Sequence, residues 1–149
     1  MRARQFVSEV GFRVEIIYAD VDLNEIRVSA WNGAFGGATD IYVKIGGLAE
    51  LAAKLTRFPR DPSDVREFTL GAFGREFAGG AASLKFYCID QAGHAYVESR
   101  IESSTESARV WQTVTLVMPV EAAGIDRFVE DLRQLEKEKS DVALLEGRG

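Results

Sequence analysis

One cysteine and one histidine are all that 149 residues contain of those two types, and each scarcity closes off chemistry. A lone Cys88 can form no internal disulfide framework and no multi-cysteine zinc site. With His94 the only imidazole, most metal centres and most nucleophile–histidine pairs are excluded as well. No apolar run approaches the ~20 residues of a membrane-spanning helix. The start, Met1-Arg2-Ala3-Arg4-Gln5-Phe6, lacks the apolar core of a signal peptide. Together with the missing cysteine pairs, this leads to the expectation of a cytoplasmic protein with no membrane partner. Linker-like stretches, internal sequence repeats and low-complexity runs are also missing. Residues 1–139 therefore read as one globular domain, and 140–149, where periodicity is lost, as a loosely ordered tail.

Basic side chains are in deficit too. Lys and Arg number 18 against 23 Asp and Glu, a net charge of −5. Residues 1–75 hold 10 of each sign, whereas 76–149 hold 8 basic and 13 acidic, so the excess sits wholly in the second half. An acidic chain lacks the counterion-release drive for phosphate backbones, and nucleic-acid binding is disfavoured. The same charge attracts a basic partner. What is plentiful is apolar: 46% of residues are hydrophobic and 10% aromatic, which excludes disorder. A chain near this length buries about 70% of its unfolded surface and is too short for two full domains.

Period-two alternation recurs along the chain. Phe12, Val14, Ile16 and Tyr18 form the inner parity of a strand, and a weakly patterned strand around 5–10 precedes it. Ile26, Val28 and Ala30 return after the polar turn 20–24, and Ile41, Val43 and Ile45 follow a glycine-rich turn. Further strands are read at 65–70, at Leu84, Phe86 and Cys88, at Ala95 to Ile101, and at 110–118, with a polar loop at 102–107. Two stripes of helical period interrupt them. Leu48, Leu51, Ala52 and Leu55 mark a short middle helix that ends before Pro59 and Pro62. Ile125, Phe128, Val129, Leu132 and Leu135 mark a longer C-terminal helix, with Pro119 expected to end the preceding strand and open it. Arg127–Asp131, Glu130–Arg133 and Arg133–Glu136 are expected as ion pairs on its outer face. The sum is an α+β domain of about seven mostly antiparallel strands, in a bent or sandwich-like sheet, with two helices.

Several short stretches match motifs of known chemistry only in part. Asp20-x-Asp22-x-Asn24 matches the first three ligands of an EF-hand calcium loop, but Glu25 replaces the required glycine and Trp31 the bidentate acid. An acidic hairpin turn is the expectation. Gly33-Ala34-Phe35-Gly36-Gly37 leads into a strand rather than a helix, so it reads as a turn and not a phosphate loop. Gly46-Gly47 does precede a helix, where an anion could sit. Cys88 shares parity with Leu84 and Phe86 and reads as an inert core thiol. Glu98, Glu102 and Glu106 fall near one strand end without a basic or aromatic context in sequence. No catalytic residue, metal ligand or cofactor is assigned.

One pattern stands out. The strand parity opposite the apolar face carries Arg27 and Trp31, Tyr42, Tyr87, Tyr96, Arg100 and Trp111, a mixture that matches binding hot spots. Two readings stay open for it: partly buried lids beneath the helices, or a surface for a protein partner or for self-association as a homodimer. The glycine-bounded stretch 71–80 carries Phe73 and Phe77 and reads as a binding flap or as a flap packed on the core.

The order of features resembles that of small bacterial single-domain proteins of unassigned function, some of them immunity-like. The resemblance is carried by 31–43 with Phe35-Gly36-Gly37, by the helix at 47–55, by the strand pair 84–101 and by the closing strand and helix at 114–135. It implies a small acidic cytoplasmic partner that neutralises a toxin domain, and it supplies no catalytic residue. The leading expectation is a non-enzymatic binding protein. The alternative is a small-ligand-binding or hydrolytic domain with a pocket between the sheet and the flap at 71–80.

Overall fold

Among the described residues alternating apolar residues build seven of eight strands, and two apolar stripes build two helices. The fold is taken from a computed structural model that describes residues 9–77, 79–104, 110–139 and 141–148. In chain order the elements are β1 (Gly11–Ala19), β2 (Leu23–Trp31), β3 (Gly36–Lys44), α1 (Gly47–Leu55), β4 (Val65–Gly71), β5 (Ala81–Cys88), β6 (Ala95–Glu102), β7 (Thr113–Val120), α2 (Ala122–Glu138) and β8 (Val142–Glu146). They form two four-stranded antiparallel sheets of order β3-β2-β1-β8 and β4-β5-β6-β7. The expected α+β class holds, and the sheet is divided in two. Among the described residues no helix is long and apolar enough to cross a membrane.

The order βββαβ occurs twice, and each half gives its last strand to the other half's sheet: β4 pairs with β5, and β8 with β1. No sequence repeat accompanies this repeat of topology. The sheets also meet at both margins. On one side the Gly80 amide donates to the Asp40 carbonyl at 2.9 Å, an approach that needs glycine because a Cβ there would overlap Thr39 Oγ1. On the other, Val120 pairs with Gly147, and the Arg148 amide donates to the Pro119 carbonyl at 2.9 Å.

Inner parities of both sheets and the two helical stripes make one core. Phe12, Ile26, Phe86, Met118, Leu51 and Phe128 are all essentially inaccessible to solvent. Phe128 of α2 meets Phe12 edge-on at 6.3 Å, and Phe58, just past α1, meets Phe86 at 5.8 Å. The nine residues of α1 are too few for a stable isolated helix, so its ends are held from elsewhere. Glu136 of α2 accepts from the Leu48 and Ala49 amides at 3.0 and 3.4 Å. Arg66 of β4 donates to the carbonyls of Lys54 and Thr56 at 3.0 and 2.7 Å.

Several expectations need correction. The tail expected at 140–149 is, over Val142–Glu146, a strand whose Ala143 and Leu145 are fully buried; five residues are too few to display a period. Pro119 does not open α2 but lies within β7. Its carbonyl faces the outer edge, so its missing N–H costs no bond to β6. A bulge between Ile16 and Tyr18 switches parity and leaves Tyr18 exposed, and Ile45 is exposed beyond the end of β3. The ion pairs expected along α2 give way to tertiary partners: Arg127 reaches Glu146, and Arg133 donates to Thr56 Oγ1. Gln5 to Ser8, from the weak first strand, and Thr105 to Ser107, from the polar loop, lie outside the described residues.

Candidate functional site

Once the inner parity of each strand is buried, the outer parity of both sheets is left open. The expected binding residues are therefore split between two faces: Arg27, Tyr42, Arg100 and Trp111 are exposed, and Trp31, Tyr87 and Tyr96 are half-buried. On the first sheet, Arg27 grips Asp40 of β3 through two bonds of 2.8 and 3.1 Å, and Arg13 pairs with Glu15 at 3.0 Å. Trp31 ends β2 and packs over Gly36, where a Cβ would collide with its ring. Tyr42 is exposed near Gly79. This face is dominated by charges that satisfy one another.

The second face differs. Strand register sets Val65, Tyr87, Tyr96 and Pro119 side by side across all four strands. The tyrosine rings lie 6.0 Å apart, with Lys85 Nζ over the Tyr87 ring. Val65, Val117 and the neighbouring Ile89 are exposed. Burial pushes the Tyr87 phenol above its ordinary value, with Glu98 and Tyr96 adding to the shift, so it stays a neutral donor. Below this row lie Glu67, Lys85, Glu98 and Val117, and then Thr69, Ser83, Arg100 and Thr115.

The flap closes the far end of this second face. The Arg100 guanidinium stacks on the Phe73 ring at 4.4 Å, and Arg75 lies over Trp111 at 5.4 Å. Trp111 thus sits beside the flap, before β7 begins, rather than on the sheet as expected. Phe77 is exposed. Beneath the flap Glu102 is 1% exposed, and its Oε2 accepts from the Gly74 amide at 2.6 Å. Among the described residues its Oε1 is buried without a partner. Parity with Arg100 and Glu98 marks Glu102 for an outward position, and the flap, which sequence periodicity does not report, reaches it through the Gly74 amide.

The remaining motifs resolve locally. Asp20 Oδ1 accepts from the Asp22 and Leu23 amides, while Asn24 is buried and donates to Glu136, so the calcium-like triplet is a turn and a strand start. Asn32 Oδ1 closes the glycine turn by accepting from Ala34 and Phe35. An anion does occupy the start of α1, and the chain supplies it: the Glu136 carboxylate, which Lys139 also pairs at 2.6 Å. Burial alone would raise the Glu136 pKa; Lys139 and the α1 amides outweigh that and hold it below its ordinary value. The Cys88 thiol is half-buried against the core, and burial pushes its pKa up, away from thiolate reactivity. His94 Nδ1 faces Asp90 at 2.6 Å in the exposed β5–β6 turn, a contact that lowers the Asp90 pKa. Among the described residues no three His, Cys, Asp or Glu side chains gather to hold a metal ion.

Two cavities open elsewhere. One of about 440 Å³ adjoins the tyrosine row and is lined by Ile89, His94, Tyr96, Pro119, Glu121 and Arg148, among others. A second of about 200 Å³ lies between Gly36 to Ala38 of β3 and Gln112 to Val114. Neither is lined by the flap. No family model, curated protein or solved structure matches the chain, so its site is read from its own geometry.

Proposed function

We propose that the chain is a binding module that engages a protein partner through the open face of its second sheet, centred on Tyr87 and Tyr96. The observation that carries this reading is the Val65–Tyr87–Tyr96–Pro119 row, an apolar strip spanning four strands with exposed Val117 and Ile89 at its margins. Rigid aromatic rings deliver large contact area at low entropic cost, and their hydroxyls supply directional bonds. The first sheet's face offers less, because its charges already have partners within the chain. The resemblance in order of features to small bacterial proteins, some of them immunity-like, makes a toxin domain the first partner to try.

Affinity capture with three baits tests the proposal: the unmodified protein, Tyr87→Ser/Tyr96→Ser and Arg27→Ala. One protein should be retained stoichiometrically by the first and third baits and lost from the second. Equal retention by all three would sink the proposal. Sedimentation over a dilution series shows whether that partner is a second copy.

A further inference from the structure

We propose that Glu102 is a buried receptor for a guanidinium group, the side chain of an arginine that enters beneath the flap at 71–77. A carboxylate only accepts hydrogen bonds, so whatever completes its Oε1 is a donor, and a cationic donor suits a buried carboxylate best because it also neutralises the charge. Buried polar atoms without partners are rare enough in native folds that each calls for an explanation. Among the described residues the nearby cations are turned elsewhere: Arg100, two residues earlier on the same face, to the Phe73 ring, and Arg75 to the Trp111 ring.

Three surrounding features select this chemistry. Phe73 and Trp111 already hold guanidinium planes from Arg100 and Arg75, so the rings under and beside the flap are placed for stacking on arginine. Glu76 lies against Gly74, the residue whose amide Glu102 accepts from, where a Cβ would meet the Glu76 carboxylate, so the flap carries an acid of its own. The chain's acidic excess falls wholly in this half. Entry needs the flap to lift. Gly71 and Gly74 take φ of 76° and 132°, a freedom other residues lack, while Arg75, Glu76 and Phe77 are exposed and bury little. The assignment rests on the partner-binding reading only for the source of the arginine.

Titration with N-acetyl-arginine amide, followed through the Gly74 amide and the Trp111 indole by NMR, tests it without any partner. A saturable shift is expected with this probe and none with the neutral, isosteric N-acetyl-citrulline amide. Glu102→Gln keeps an acceptor for the Gly74 amide but replaces the charge and the second acceptor by an amide NH2 donor, so it should weaken the probe by about tenfold or more, a loss that a flap-tying role alone would not produce. No saturable shift, an equal response to citrulline, or undiminished binding by Glu102→Gln would each overturn the assignment. If Glu102→Gln does not fold, the arginine–citrulline pair on the unmodified protein decides. The probe does not touch the tyrosine row, so Tyr87→Ser/Tyr96→Ser should bind it normally, and either proposal can fail alone.

Discussion

The first half, β1 to β4, and the second, β5 to β8, run through the same order of elements, yet they finish their helices and their sheet faces differently. In the first half α1 has nine residues and takes the groups at its ends from Glu136 and Arg66, which lie outside it. In the second, α2 has 17 residues and closes its own C-terminus through Lys139 in the left-handed region. The first sheet's open face is knitted by Arg13–Glu15 and Arg27–Asp40. The second presents two tyrosines, valines and a buried carboxylate with one oxygen unpartnered. A repeated topology thus holds an asymmetric division of labour: α2 supports α1, and the second sheet's face carries a tyrosine row where the first sheet's carries paired charges.

The sharpest way to break this comparison is to weaken α2 and ask whether the first half survives. Phe128→Ala removes a fully buried ring that meets Phe12 of β1, and should cost about 3–5 kcal/mol in urea unfolding. Each half carries one tryptophan, Trp31 and Trp111, so single-tryptophan variants report on the two separately. Coincident transitions are expected. A Trp31 signal that outlasted the Trp111 signal would show that α2 does not carry the first half.

A smaller effect isolates the dependence of α1 on α2. Glu136→Gln keeps the shape of the side chain and discards the charge facing the α1 amides and Lys139, at a cost of about 1 kcal/mol at neutral pH. The pH dependence has a definite sign. A carboxyl whose folded pKa lies below its ordinary 4.5 contributes stability above that value and loses it as pH falls through the folded pKa. The gap between the unmodified protein and Glu136→Gln should therefore be present at pH 7 and close at strongly acidic pH. A gap that persisted in acid would assign the loss to packing instead.

These features divide cleanly by how much of them the local sequence carries. Both helical stripes and seven of the strands were legible because their periods run over enough residues to repeat. β8 was not, because five residues show no period and its burial comes from β1 and α2. The parity rule also placed Tyr87, Tyr96 and Arg100 correctly on an outward face. It could not say that two sheets exist, and so it merged Arg27, Trp31 and Tyr42 with residues of a different surface. The roles of Glu136 and Glu102 are not legible in sequence for one reason: each is an acid at an outward position, and its role is set by an element far away in sequence, α1 for one and the flap for the other. Notably, the anion site suspected at Gly46-Gly47 was real in its physics, but its anion is internal.

Tyr96→Ala, on the second face, should cost stability modestly, about 1 kcal/mol, because the ring is half-buried and lies tilted against Tyr87, while partner capture falls far more. A stability loss large enough to explain the capture loss would make the row a structural element instead of a binding surface.

The smallest expected effect tests the passive side of the comparison. Arg27 and Asp40 join the first sheet's middle and edge strands by a two-pronged contact, but half of the Arg27 side chain remains in solvent. Water and salt screen such a pair, so a double-mutant cycle with Arg27→Ala and Asp40→Ala should return a coupling of about 0.5–1 kcal/mol that shrinks in 1 M salt. Neither substitution should alter partner capture. A coupling of several kcal/mol would instead make this face a rigid brace for the whole first sheet, and a loss of capture would move the binding surface to it. The two halves would then differ in stability alone, and the tyrosine row would lose its claim to be the distinguishing feature.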